Sequence, residues 1–182
     1  MRKDAQVRRD RLIAAAADLF EQHGYGVALE GIAERAGVGR GTLYRNFADR
    51  NAIIVAVLET RLDELSSFVR DNAGSPTLFA DFMRRQRVVT AFHAKALVGA
   101  ESDLLDEVVA SLRGRADALL GAVLAQAIAA GSVAASVTVA DMRLVNRMLI
   151  AAATMPGFEE NDALERALAI IMAGLRRQDD GD

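Results

Sequence analysis

Three residues, Ala33, Gly37 and Leu43, restrict this chain more than any others in it. They lie four and six positions apart between two short apolar repeats, Leu29-Ile32-Ala33-Ala36 and Leu43-Phe47, whose steps of three and four mark one face of a helix. Alanine at 33 lets two helices cross closely, where a larger side chain would push them apart. Glycine at 37 can end the first of them in left-handed backbone, a conformation that a side chain resists. Leu43 then falls where it plugs the core both helices share.

A helix of about nine residues, the turn Ala36-Gly37-Val38 and a helix from about Arg40 to Phe47 form a helix-turn-helix, the unit that lays its second helix in the DNA major groove. That second helix opens on Gly39-Arg40-Gly41. Glycine costs about 1 kcal/mol against alanine inside a helix, so something other than helix stability selects it. Base edges and phosphates crowd the start of a reading helix, and missing side chains at 39 and 41 let the backbone approach them. Arg40 suits a guanine edge; Thr42 offers a hydroxyl to phosphate or a methyl to thymine. Tyr44, Arg45 and Asn46 continue the exposed side, and Arg50 is placed to hold a phosphate. Singly, each of these residues reads equally well as loop, solvated face or packing.

Charge is distributed in the same sense. The whole chain carries −3, yet residues 1–50 hold nine Lys or Arg against seven Asp or Glu, so the basic excess sits at the end that bears this motif. Arg2, Lys3, Arg8, Arg9 and Arg11 form a basic start that would suit a minor groove or a charged first helical turn equally. The absence of cysteine removes disulfides and thiolate metal sites and fits a reducing compartment. The cytoplasm is the expected location: Asp18 and Glu21 interrupt the early apolar run as no signal peptide would allow, and no stretch is apolar enough to span a bilayer.

Elsewhere, apolar residues recur at three and four with no period-two clusters, so the expected fold is all-α with about nine helices. Gly24 closes the first helix, Asp49 caps a fourth that runs to about residue 72, and breaks fall near 99–102, 131–138 and 156–161. The domains expected are a head over 1–50 and a body over 51–182, with 49–72 as connecting helix.

Residues 8–58, "RRDRLIAAAADLFEQHGYGVALEGIAERAGVGRGTLYRNFADRNAIIVAVL", resemble the DNA-binding head of the TetR (tetracycline-repressor) family, whose pattern "A..LF...G", "IA..AGV", "GTLY.(Y/H/N)F..(K/R)" they follow nearly throughout. The resemblance implies a homodimer on a palindromic operator, usually repressing, that a ligand in the body releases. It marks Arg40, Gly41, Thr42, Tyr44, Asn46 and Arg50 as DNA contacts, in agreement with the spacing. Three positions depart from the family. Ala28 stands where a Ser or Thr usually caps the second helix, Gly31 lies inside that helix, and Gly39 replaces a frequent Ser. Together they predict a head that is loose without DNA.

The body carries no motif of that strength. Phe68, Phe79, Phe82, Met83, Gln86, Val89, Phe92 and His93 gather bulky apolar groups and a few polar tips, as a site for a small, largely apolar effector requires; they also read as ordinary core. No cofactor, metal or catalytic residue is expected. The only histidines are His23 and His93, a metal would rest on carboxylates without recognisable spacing, and no serine lies in a nucleophile setting. The last two helices are the expected dimer surface, through Met142, Val145, Leu149 and Ala152 on one and Leu164, Ala167, Leu168, Ile171 and Leu175 on the other, in a four-helix bundle with a second copy. They also read as the closing layer of a single-chain core. The expected function is a ligand-responsive regulator, not an enzyme, whose partners are double-stranded DNA, a second copy and an effector. A constitutive DNA binder without effector, or a helical small-molecule binder or enzyme with an incidental basic head, remain open alternatives.

Overall fold

Helices end in this computed structural model, which describes residues 2–24, 26–86, 102–153, 155–157 and 159–176, where the sequence punctuates them. They are α1 (Arg2–His23), α2 (Leu29–Arg35), α3 (Arg40–Asn46), α4 (Arg50–Asp71), α5 (78–86), α6 (Ser102–Ala129), α7 (Val139–Ala153) and α8 (Glu160–Leu175). No strand occurs among the described residues. The all-α expectation is met; eight helices stand against about nine expected, and residues 87–101 lie outside the described part.

Gly37 shows why punctuation was readable. Its φ is +66°, its N–H donates to the Glu34 carbonyl at 3.0 Å, and the Val38 N–H donates to the Ala33 carbonyl at 3.0 Å. This is the paired 5→2 and 6→1 closure that satisfies the last carbonyls of a helix. A Cβ at 37 would meet nothing within 4 Å, so backbone conformation, not space, demands glycine. Asp49 caps α4 as expected, accepting the Ala52 N–H at 2.8 Å. The Ala28 backbone precedes α2 in extended conformation with no side-chain cap.

The described chain forms two compact units, and α4 and α6 each contribute to both: the first takes α1 to α3, α4 to Arg61 and α6 to Ser111, and the second takes the rest. In the first, α1, α2 and α3 pack on one another. Leu12, Ala16, Phe20, Ile32, Leu43, Ile53 and Ile54 have almost no exposed surface, and Ala33 is buried at the crossing. Such burial removes about 25 cal/mol per Å2 of apolar area from water and is what holds helices too short to persist alone.

In the second unit, Leu65 of α4, Leu78, Phe79, Phe82 and Met83 of α5, and Leu120, Val123, Leu124 and Ala127 of α6 share one core. Met142, Val145 and Leu149 of α7 and Leu164, Leu168 and Ile171 of α8 belong to that same core. α7 opens on a reciprocal cap: the Thr138 N–H and hydroxyl donate to Asp141 Oδ2 at 2.8 and 2.7 Å, and the Asp141 N–H donates to Thr138 Oγ1 at 3.3 Å.

Candidate functional site

α3 follows Gly39, whose φ of −71° and ψ of 150° any residue adopts. A Cβ there would touch nothing, and one at Gly41 would meet only the Arg45 guanidinium at an ordinary 3.7 Å. Neither glycine is required by the chain's own packing or backbone. Both are exposed, as are Arg40, Tyr44 and Arg45, while Leu43 on the opposite face is buried.

The side chains of this face are held in place. Tyr44 is 51% exposed, yet its hydroxyl donates to Glu30 Oε1 of α2 at 3.3 Å. Arg45 Nη2 donates to Thr42 Oγ1 at 3.2 Å, and Asn46 Nδ2 donates to the Thr42 carbonyl at 2.7 Å, which commits one amide hydrogen to its own helix. Arg50 Nη1 donates to the Val27 carbonyl at 2.6 Å and so anchors the loop before α2. Glu30 is the residue sequence reasoning missed. Its own backbone N–H holds its carboxyl below the usual carboxylate range, against the opposing effect of burial, with lesser help from Arg40, the Tyr44 hydroxyl and Arg50. It holds one of the six expected contact residues, Tyr44, by a hydrogen bond. No local pattern marks this, because the pairing spans fourteen positions and two helices.

The basic start of the chain belongs to α1. Arg9 stacks over the Phe47 ring of its own unit, 4.6 Å from the centroid, while Arg8 and Arg11 are exposed.

Of the eight expected effector-site residues, Phe79, Phe82 and Met83 are buried in the second unit's core. Phe68 is half-buried under the Arg85 guanidinium, 4.3 Å from the ring centroid. Gln86 Nε2 donates to Asn146 Oδ1 at 3.4 Å, and its Oε1 is buried with no hydrogen-bond partner among the described residues. Val89, Phe92 and His93 lie outside the described residues.

Known proteins sharing these features are transcription regulators. Residues 12–57 match the family described as bacterial regulatory proteins, tetR family. A TetR transcription regulatory protein from Mycobacterium vanbaalenii superposes with a TM-score of 0.72 at 34% identity, covering 97% of this chain and 99% of that one. The chain belongs to the TetR family. A TetR transcriptional regulator from Streptomyces coelicolor gives 0.70 at 30% identity, covering 93% and 99%. Among curated relatives, the HTH-type transcriptional activator FasR of Mycolicibacterium smegmatis is 36% identical over 88 residues, 48% of this chain and 38% of FasR. The match thus spans well under half of that relative.

The residues expected at a dimer surface divide by burial. Met142, Val145, Leu149, Leu164, Leu168 and Ile171 face their own chain's core, and Leu149 has 0% exposure. Ala152, Ala167 and Leu175 are half-buried. The reason is that α7 is apolar on two sides and its most regular stripe, 142-145-149, meets the core. The outward side presents Leu144 (62% exposed), Met148 (50%) and, just past the helix, Met155, with Ile170 (73%) on α8. Four of the six exposed large apolar side chains among the described residues lie on this pair of helices or the loop joining them. The spacing of Leu144, Met148, Ala151 and Met155, in steps of four, three and four, was the signal that marked this second stripe in the sequence. No helix among the described residues is long and apolar enough to cross a membrane.

Proposed function

We propose that this TetR-family chain is a ligand-responsive repressor that acts in the cytoplasm, binds a palindromic operator as a homodimer and is released by a small, largely apolar effector. One observation carries the DNA-reading part. Glycines 39 and 41 open a face that the protein itself leaves empty, and a duplex is the object that would fill it. Arg40, Gly41, Thr42, Tyr44 and Asn46 meet base edges and the flanking backbone, and Arg50 meets phosphate. Two-fold symmetry sets the two copies of α3 in successive major grooves about 34–36 Å apart, or a multiple of that spacing. The outward apolar side of α7 and α8, with Leu144, Met148 and Ile170, supports the second copy as partner. The unpartnered Gln86 Oε1 beside Phe82 and Met83 supports an effector that brings one hydrogen-bond donor to an otherwise apolar site. Repression follows where the operator overlaps a promoter, since a bound dimer occludes polymerase. The scaffold acts by binding and positioning, with no chemical step.

The test is footprinting on the DNA flanking the coding region. The expected result is a short protected inverted repeat, lost by at least about tenfold in affinity when Arg40 and Tyr44 are both replaced by alanine, with the helical circular dichroism unchanged. Long featureless protection would favour a constitutive architectural binder. A double variant that binds like the wild type would remove α3 from the interface.

A further inference from the structure

Glu30 places a carboxylate inside the surface that is read above as facing DNA, and this inference rests on that reading. Its Oε1 accepts the Tyr44 hydroxyl at 3.3 Å. Its own backbone N–H favours its charged form most, and the charges of Arg40 and Arg50 favour it further, against the opposing effect of burial. Tyr44 and Arg40 belong to α3 and Arg50 to the start of α4, the elements named as groove and phosphate contacts. A DNA phosphate would seek the same donors: guanidinium groups and a phenolic hydroxyl.

We propose that Glu30 is a built-in competitor of the DNA phosphates for the Tyr44 hydroxyl, ordering the reading face in the free protein and, through its charge, weakening its hold on DNA of any sequence. Two consequences follow from the geometry. The carboxylate holds the Tyr44 hydroxyl, and that hydrogen bond must be given up before the hydroxyl can turn to a phosphate. It also neutralises positive charge that would otherwise release counterions from the duplex. The second effect acts through phosphates, so it carries no sequence information and falls equally on operator and non-operator DNA. For a chain whose overall charge is −3, this keeps sequence-independent binding low despite the local basic excess.

The competition predicts a gain of affinity on removing an acid. Fluorescence anisotropy of a mixed-sequence 30-base-pair duplex is measured with the full-length wild type, Glu30→Gln and Glu30→Asp across a salt series. Glu30→Gln is expected to bind about two- to fivefold tighter near 0.1 M salt, the scale of an exposed ionic contact, and to steepen the log–log salt slope by up to about 1. Glu30→Asp, which keeps the charge, is expected to stay within about twofold of wild type. Glu30 also supplies the first turn of a helix that lacks an N-cap side chain, so loss of the head's fold in Glu30→Gln is answered by the pair Ala28→Ser and Ala28→Ser/Glu30→Gln, where serine restores the cap. The same gain is expected between those two. An unchanged or weakened affinity in folded Glu30→Gln, with wild type binding normally, overturns the competition and leaves α3 as the reading helix. Absence of salt-dependent binding in every variant overturns both.

Discussion

Glycine at position 41 separates folding from binding at a single atom. It stands in the first turn of α3, where a Cβ would meet only the Arg45 guanidinium at an ordinary 3.7 Å. Alanine there should therefore raise the stability of the free protein by about 0.5–1 kcal/mol, through reduced freedom of the unfolded chain. The same methyl group, facing the duplex, should cost at least about tenfold in operator affinity. Thermal unfolding and anisotropy on the same Gly41→Ala sample check both signs; a variant that is stabler and still binds normally would leave the glycine without a reason. Thr138 and Asp141 give a second residue-scale prediction. The Thr138 hydroxyl and backbone N–H hold the Asp141 carboxyl below its ordinary 3.8. A group whose folded value is depressed contributes stability above its unfolded value and loses it as pH falls through the folded one. Thr138→Ala should cost about 1 kcal/mol at pH 7, roughly 3 °C in Tm for a chain of this length, and the gap from wild type should narrow in urea titrations carried below pH 3.8. This cap was legible, since Thr-x-x-Asp before an apolar run is a start signal for a helix. The Glu30–Tyr44 pairing was not, because nothing in either local sequence fixes how α2 and α3 cross.

At the scale of the element, α7 and α8 show what periodicity can and cannot decide. Their existence and limits follow from Gly131, Thr138, Pro156 and the apolar repeats, and the expected breaks at 131–138 and 156–161 fall where the helices stop. Which side faces inward does not follow, because both 142-145-149 and 144-148-151 satisfy helical spacing and only tertiary packing chooses between them. The choice has separable consequences. Leu149→Ala removes a fully buried side chain and should cost about 2–5 kcal/mol, lowering Tm at every protein concentration. Ile170→Glu alters an exposed side chain and should leave the far-ultraviolet dichroism intact while converting the proposed dimer to monomer in sedimentation equilibrium. Operator binding should fall with it, because each half-site alone retains only its own contacts. Should Ile170→Glu and Met148→Glu both remain dimeric, the second copy sits elsewhere.

For the whole molecule the decisive part is α4, which is one continuous helix yet serves two cores. Ile53, Ile54, Val57 and Leu58 are buried within the first unit's share of the chain, and Leu65 is buried in the second unit's core, with the change falling between Arg61 and Leu62. The sequence announced the length of this helix through Asp49 at its start and "DNAGSP" after it. The point at which its burial passes from one core to the other leaves no compositional trace, since the apolar stripe runs on without interruption. Under the proposed function, α4 is the covalent connection through which binding of an effector in the second unit would reach α3. Coupling of that kind is typically about 1–3 kcal/mol, which is about 5- to 150-fold in operator affinity. Replacing Thr60 and Arg61 with glycine should soften the helix at the junction, at about 1 kcal/mol of helix propensity per position, and it also removes the hydrogen bond from the Thr60 hydroxyl to the Ala56 carbonyl. With an apolar aromatic compound selected by thermal shift, the variant should still bind the compound and still bind operator. The drop in operator affinity caused by that compound should shrink to under about threefold. Anisotropy with and without the compound reads the product of the two bindings directly, and full coupling retained across a junction of two glycines would mean that the signal does not travel through α4.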